Sequence, residues 1–262
     1  MRVHRVLAPN PSLMTAGGTN SWVLEVDGHA LVVDPGPLHE GHLAEIRGRL
    51  EGLEAVAVAV THGHPDHAPA ANRLARELSV PAIGSGAAPG FTPDRLVADG
   101  DVVQVASMAV GVIATPGHTA DHVCYRAEEV LFSGDHIMGG STVIVQHMGD
   151  YLASLRRLRG TGLRVIHPGH GESVCDPDGE ISRYLAHRAD RERQIVKAVR
   201  SGASTVAAIV EAVYFDVNSA LHPMAAISVA AHLRSLEDDG VVELVSGAAD
   251  WGSPVVLAAG PL

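Results

Sequence analysis

Four residues able to bind a metal ion fall within six positions: His62, His64, Asp66 and His67, in the run His62-Gly63-His64-Pro65-Asp66-His67. Histidine and aspartate each occur 16 times in the 262 residues. Four fixed matches in one window therefore arise by chance with a probability of about 0.004. Imidazole nitrogens and carboxylate oxygens are the donors that Zn²⁺ accepts. The run directly follows the apolar stretch from Val56 to Thr61, so a strand should end where the donors begin. Four donors so close together crowd one tetrahedral ion, which points to two ions. Further donors lie in loops that follow other apolar stretches: His118 in Thr115-Pro116-Gly117-His118-Thr119, Asp135 in Phe132-Ser133-Gly134-Asp135, and His170 in His167-Pro168-Gly169-His170-Gly171. A glycine near each lets the backbone turn sharply. Two cations sharing a water lower its pKa toward neutrality and leave hydroxide to attack a carbonyl or phosphoryl centre. Two Zn²⁺ are expected, and Mn²⁺ or Fe²⁺ would accept the same donors. His122, His136, His147 and His167 lie near these motifs and are read as ordinary structural histidines.

The elements that must carry these loops are short. Strands are expected at Trp22 to Val26, Leu31 to Val33, Val56 to Val60, Val102 to Val105, Ala109 to Ala114, Val130 to Phe132 and Leu163 to Ile166, many ending in Asp, Gly or Pro. Segments of helical period fall at His39 to Leu50, Pro69 to Leu78 and Tyr151 to Leu158. Strands interleaved with helices, many as hairpins, predict a two-sheet α/β core flanked by helices. From about Gly179 the texture changes. Ile181 to Arg200 reads as one amphipathic helix. Ser204 or Thr205 can cap a second helix running to Tyr214, and Pro223 suits the first turn of a third, Met224 to Leu236. Val241 to Val245 and Pro254 to Leu257 can then pair as a hairpin. Residues 1–178 are thus expected to form the catalytic domain and 179–262 a small helical, winged-helix-like domain.

Composition limits the function classes. Hydrophobic residues make up 46% of the chain and charged residues 19%, which suits a packed globular protein and excludes disorder. The net charge of −11 repels polyanions at long range, so nucleic-acid binding would need a local patch. Cys124 and Cys175 are too far apart for a Cys-x-x-Cys motif, and the protein is expected to be cytoplasmic. No apolar run is long enough to span a bilayer, and Pro9, Pro11 and Gly17 interrupt any signal-peptide core.

The motif set resembles the metallo-β-lactamase superfamily, whose fold is an αββα sandwich with a dinuclear site at one edge of the two sheets. Carried over by position, the resemblance makes His62, His64 and His118 ligands of the first metal and Asp66, His67 and His170 ligands of the second. Asp135 matches the carboxylate that bridges both ions, and Asp66 and Asp135 are the expected catalytic pair. Asp34, in Val32-Val33-Asp34-Pro35-Gly36, matches an earlier motif whose expected role is to fix the orientation of metal-bound histidines. True metallo-β-lactamases generally lack the bridging aspartate, so Asp135 argues against antibiotic hydrolysis. Ribonucleases with a large inserted cap need far more chain than separates His118 from His170.

Within the superfamily the chain is similar to the β-lactamase-like protein 2 subfamily. The likeness lies in Gly18-Thr19-Asn20, Asp121-His122, Leu131 to Asp135 and on through Gly140-Ser141-Thr142-Val143, with Tyr184 to Gln194 and Leu221 to Ala225 in the tail. One animal member is an endoribonuclease acting on single-stranded RNA, which makes that the favoured substrate. The alternative is a thioester or lactone of a small metabolite, hydrolysed as in glyoxalase II; a metal-bound scaffold without turnover has no physical reason to keep an open two-metal centre. Residues 181–262 carry seven Lys or Arg and nine Asp or Glu, and the third helix ends Glu237-Asp238-Asp239, which faces phosphates badly and argues against duplex DNA. Arg188 and Arg191, within a basic series from Arg183 to Arg200, and His222 are the expected substrate contacts. Pairing with Asp190 and Glu192 as a solvated helix face is the competing reading.

Overall fold

In the computed structural model, residues 1–140, 143–245, 247 and 249–258 are described; Ser141 and Thr142, within the run from Gly140 to Val143, lie outside them. Strands β1 (Arg2–Leu7), β2 (Asn20–Val26), β3 (His29–Val33), β4 (Glu54–Ala59), β5 (Ala82–Gly84) and β6 (Arg95–Leu96) form one sheet in that spatial order. The second sheet runs β11 (Val165–Pro168), β10 (Val130–Gly134), β9 (Val123–Ala127), β8 (Met108–Ala114), β7 (Val102–Val105). A hairpin joins β2 to β3 through Asp27-Gly28, both at positive φ as a tight two-residue turn requires. β3, β4, β5 and β6 pair in parallel, and so do β10 and β11.

Contacts divide the chain into two units. The first comprises Met1–Pro116, Asp121–Val143 and Leu158–Glu180, and the second Gly117–Ala120, Ile144–Arg157 and Ile181–Leu262. In the first unit, inward residues of both sheets share one core: Trp22, Leu24, Leu31 and Ile83 from one, Val103, Val112, Tyr125 and Phe132 from the other. The two sheets thus pack face to face through their inward side chains. The opposite face of the first sheet, through Val23, Val32 and Val58, buries Leu43 and Ile46 of α1 (Glu40–Arg49) and Leu74 of α2 (Ala71–Leu78). β4 is therefore covered on both faces, which explains its nearly unbroken Ala/Val sequence.

The second unit holds most of α3 (Met148–Leu158) and of α4 (Pro177–Arg200). α4 starts a turn before the expected Ile181, with Pro177 in its first position, where no amide hydrogen is needed. The Thr205 hydroxyl accepts the Ala208 amide hydrogen at 3.1 Å and so caps α5 (Val206–Val213). α6 (His222–Asp238) follows with Pro223 in its first turn, and β12 (Val242–Leu244) pairs antiparallel with β13 (Val255–Leu257). Ile195, Val206, Ile209, Val229, Leu233 and Val255 make the core of this unit. Among the described residues no helix is long and apolar enough to cross a membrane.

Candidate metal centre

Parallel pairing decides where the donors go. β3 pairs with β4 so that Val33 faces Ala59, and β10 pairs with β11 so that Gly134 faces Pro168. Strands that run the same way end on the same edge, so Asp34 emerges beside Thr61 and His62, and Asp135 beside Gly169 and His170. The backbone of Thr61 is held by its carbonyl, which accepts the Val123 amide hydrogen at 2.8 Å.

Two groups of donor atoms result in the first unit. His62, His64 and Asp135 offer atoms within 4.8 Å of one another, and so do Asp66, His67 and His170. His62 Nε2 lies 2.9 Å from His64 Nδ1 and 3.9 Å from Asp135 Oδ2. The other oxygen, Asp135 Oδ1, lies 3.3 Å from His67 Nε2 and 3.4 Å from His170 Nε2. Asp66 Oδ2 lies 3.3 Å from His67 Nε2 and 3.2 Å from His170 Nε2. Ligands about 2.0–2.1 Å from a tetrahedral ion stand about 3.3–3.4 Å apart, so these spacings fit a cation. The buried His67 Nε2 makes no hydrogen bond, as a lone pair reserved for a cation would not.

The opposite ring atoms fix the tautomers. His67 Nδ1 is 2.9 Å from Asp34 Oδ2, to which it donates, and His170 Nδ1 donates to the Gly18 carbonyl at 3.1 Å. Each bond leaves Nε2 as the donor to a metal. Thr61 Oγ1 sits 3.0 Å from His62 Nδ1 and 2.7 Å from Asp34 Oδ2, and the Thr61 amide donates to Asp34 Oδ1 at 2.7 Å. In the metal-free chain, protons neutralise this cluster. Burial opposes charge on His67, yet Asp135 and Asp34 raise its pKa well above the ordinary value. Burial also opposes charge on His170, which Asp135 and Asp66 nevertheless raise to about 9. Burial works against the carboxylates too, but His67 and His170 hold both Asp135 and Asp66 well below the usual range.

Several residues beyond the donors support the site, among them members of the Gly18-Thr19-Asn20 and Asp121-His122 runs. Asp121 Oδ2 accepts the Gly63 amide hydrogen at 3.1 Å and steadies the His62 to His64 loop. Thr19 Oγ1 donates to Asp66 Oδ2 at 3.0 Å, and Asn20 Nδ2 donates at 2.9 Å to the carbonyls of both Pro168 and Gly171. His122 is buried, its Nδ1 2.9 Å from Thr115 Oγ1, with its ring stacked 5.0 Å from that of His62. His167 stacks on Trp22 at 4.4 Å, and burial lowers its pKa to about 4.

In the second unit, His118 is buried and its Nδ1 donates to the Ile144 carbonyl at 2.6 Å, which leaves Nε2 as its basic nitrogen. Arg188 and Arg191 are withdrawn from the exposed basic stripe expected on α4, whereas Arg183, Arg193, Lys197 and Arg200 stay exposed. Arg188 is 3% exposed and its guanidinium lies 5.4 Å from the centre of the Tyr151 ring. Arg191 stacks 4.0 Å from the Tyr214 ring centre and donates to the Val213 carbonyl at 3.0 Å. Arg193 pairs with Asp190. The reason is periodicity: Ile181, Tyr184, Arg188 and Ile195 are all buried and share one helix face. His222 is half-buried at the start of α6, with Nε2 3.3 Å from the Val217 carbonyl.

Comparison with known proteins agrees with this architecture. Residues 14–170 match the Metallo-beta-lactamase superfamily and residues 205–251 the Beta-lactamase associated winged helix domain. The chain is 32% identical to the Beta-lactamase-like protein 2 homolog of Drosophila melanogaster, over 95% of this chain and 91% of that protein. It is 30% identical to the Atrochrysone carboxyl ACP thioesterase of Aspergillus fumigatus, over 81% of this chain and 73% of that protein. The fold is shared with a beta-lactamase domain protein from Burkholderia ambifaria, at a TM-score of 0.82 and 24% identity, covering 98% of this chain and 91% of the other. A metallo-beta-lactamase family protein from Thermus thermophilus gives 0.81 at 18% identity, covering 97% and 98%.

Proposed function

Because this chain belongs to the metallo-beta-lactamase superfamily and is a hydrolase of it, we propose that it holds two divalent cations, zinc foremost, and hydrolyses a thioester. The observation that carries the two-cation reading is the carboxylate of Asp135, whose Oδ2 faces His62 and whose Oδ1 faces His67 and His170. Asp135 is then the bridge, His62, His64 and His118 complete one donor set, and Asp66, His67 and His170 complete the other. When bound, the cations acidify a water and polarise the scissile carbonyl. Asp66, with a quarter of its side chain exposed, orients that water and takes up its proton. The water oxygen would bond to the acyl carbon as the carbon–sulfur bond breaks, and the proton would pass to the departing thiolate, leaving a carboxylate and a thiol. Thr19 keeps the Asp66 carboxylate directed at the site.

The thioester is preferred to RNA because Arg188 and Arg191, the cations expected to follow a phosphate backbone, are taken up by Tyr151, Tyr214 and the Val213 carbonyl. The similarity to thioesterases supports the same choice. Single-stranded RNA is the second reading, favoured by the similarity to the Drosophila protein along nearly the whole chain. The test offers acyl-coenzyme A and end-labelled single-stranded RNA to the zinc-loaded protein and to Asp135→Ala. Thiol release by the wild type alone supports the proposal. Cleavage of RNA without thiol release transfers it to phosphodiesters, and near-wild-type turnover by Asp135→Ala with full metal content refutes the bridge.

A further inference from the structure

We propose that Thr61 is a positioning residue that extends the reach of one buried carboxylate, Asp34, from the His67 donor set to the His62 donor set, an inference that rests on the two-cation reading above. The assignment follows from counting protons. Asp34 is 1% exposed, and as a carboxylate it only accepts. The Thr61 hydroxyl has a single proton and lies 2.7 Å from Asp34 Oδ2, so that proton goes to Asp34. Its oxygen, 3.0 Å from His62 Nδ1, then accepts the imidazole hydrogen. His62 is thereby held in the tautomer whose Nε2 lone pair turns toward His64 and Asp135.

His67 receives the same service directly, since its Nδ1 donates to Asp34 Oδ2 at 2.9 Å. One carboxylate thus orients a histidine in each set, the second by direct contact and the first through a hydroxyl. The fold protects this arrangement. Thr61 is tied by its amide to Asp34 Oδ1 and by its carbonyl to the Val123 amide, so its hydroxyl cannot drift. Gly134, at φ +47°, leaves room for it: a Cβ there would come within 2.4 Å of Thr61 Oγ1.

The consequence is selective. Thr61→Val keeps the shape and the backbone bonds but leaves the buried His62 Nδ1–H without its acceptor, whereas His67 keeps Asp34. Removal of such an orienting partner weakens a metal site about 10- to 100-fold. The His62 set alone should lose that factor, Thr61→Ser should recover it, and Asp34→Asn should weaken both sets.

Cobalt(II) is the probe. The wild type, Thr61→Val, Thr61→Ser and Asp34→Asn are loaded, dialysed against graded chelator, and followed by atomic emission for stoichiometry and by visible absorption for the coordination environment; thermal unfolding of the metal-free proteins controls for folding. The expected result is a chelator range in which wild type and Thr61→Ser retain two ions, Thr61→Val one, and Asp34→Asn none. Loss of both ions together from Thr61→Val, or retention of both, overturns the inference. A wild type that never exceeds one ion overturns the two-cation reading and the inference with it.

Discussion

Gly169 offers a sharp test of the metal centre because it carries no donor and is nevertheless confined by two of them. A Cβ at this position would lie 2.5 Å from Asp135 Oδ1 and 2.6 Å from His67 Cε1. Ordinary contacts between such atoms begin at about 3.5 Å, so about 1 Å must be found. The backbone has none to give: the Gly169 amide donates to the Gly134 carbonyl at 2.8 Å and its carbonyl accepts from the Asn20 amide at 2.7 Å. The displacement therefore falls on the carboxylate and the imidazole. A coordination bond is itself only about 2 Å long, so a shift of half that length detaches a ligand. Gly169→Ala should lose the cation of the Asp66, His67 and His170 set and at least about 100-fold in turnover. The overpacking should cost about 1–3 kcal/mol of stability. Gly48, inside α1 with nothing within 4 Å of its would-be Cβ, is the control. Gly48→Ala should be neutral or stabilising by about 0.5–1 kcal/mol. Metal content by atomic emission beside steady-state kinetics decides the matter. Two ions and wild-type turnover in Gly169→Ala would refute the geometry.

Two further predictions concern protons. In the metal-free chain His170 is raised to about 9 and His67 is raised as well, so below that pH a cation must displace protons from the donors. Cation uptake should release protons, with apparent affinity rising up to about pH 9; calorimetric titration in buffers of different ionisation enthalpy measures this, and an affinity constant from pH 6 to 9 contradicts it. In the second unit, burial first and then Arg188, Arg191 and His187 lower the pKa of His232 to about 3, from 6.5. Its contribution to stability is complete above the unfolded pKa and is lost as pH falls toward 3, at about 1.4 kcal/mol per pH unit. Denaturant unfolding of the wild type and His232→Leu from about pH 7.5 to about 4, followed by helical circular dichroism, should show a flatter acid limb for the variant; equal limbs would remove His232 as the cause.

What the sequence made legible was whatever repeats or clusters. The His62 to His67 run, the glycine-flanked His118, Asp135 and His170, and the alternating strands all carry such signals, and so do the Thr205 cap and the Pro223 turn. β5 and β6 have three and two residues, too few for any period to register. β1 hides behind its charges, because Arg2, His4 and Glu25 pair across a strand edge that reads as polar chain. Asp121, Thr19 and Thr61 act through hydrogen bonds to residues far away in sequence, which leave no periodic pattern. Arg188 differs, since its signal was present: it falls in step with Ile181, Tyr184 and Ile195 on the buried face of α4. Charge spoke for exposure and period spoke for burial, and period won because Tyr151 supplies a ring for the guanidinium.

Backbone strain points to the same place as the donors do. Among the described residues, six other than glycine have positive φ; Asp27, Ala106 and Glu128 are accounted for by hairpin turns, Ser79 by the end of α2, and Ala16 by the small loop that its bridge to Ser12 closes. Asp34, at φ 51°, belongs to none of these kinds. Its amide still continues the β3–β4 ladder to the Ala59 carbonyl at 2.8 Å, so the strand has not frayed. The left-handed conformation costs about 1–2 kcal/mol for such a residue. That cost persists only where surrounding bonds over-determine it, and the Thr61 amide, the Thr61 hydroxyl and the His67 imidazole all converge on the Asp34 carboxylate. A glycine would remove the strain and every one of those bonds. The aspartate is therefore retained for what its carboxylate orients, and the strained turn is how a residue at the end of β3 directs that carboxylate beneath histidines carried by the loop after β4.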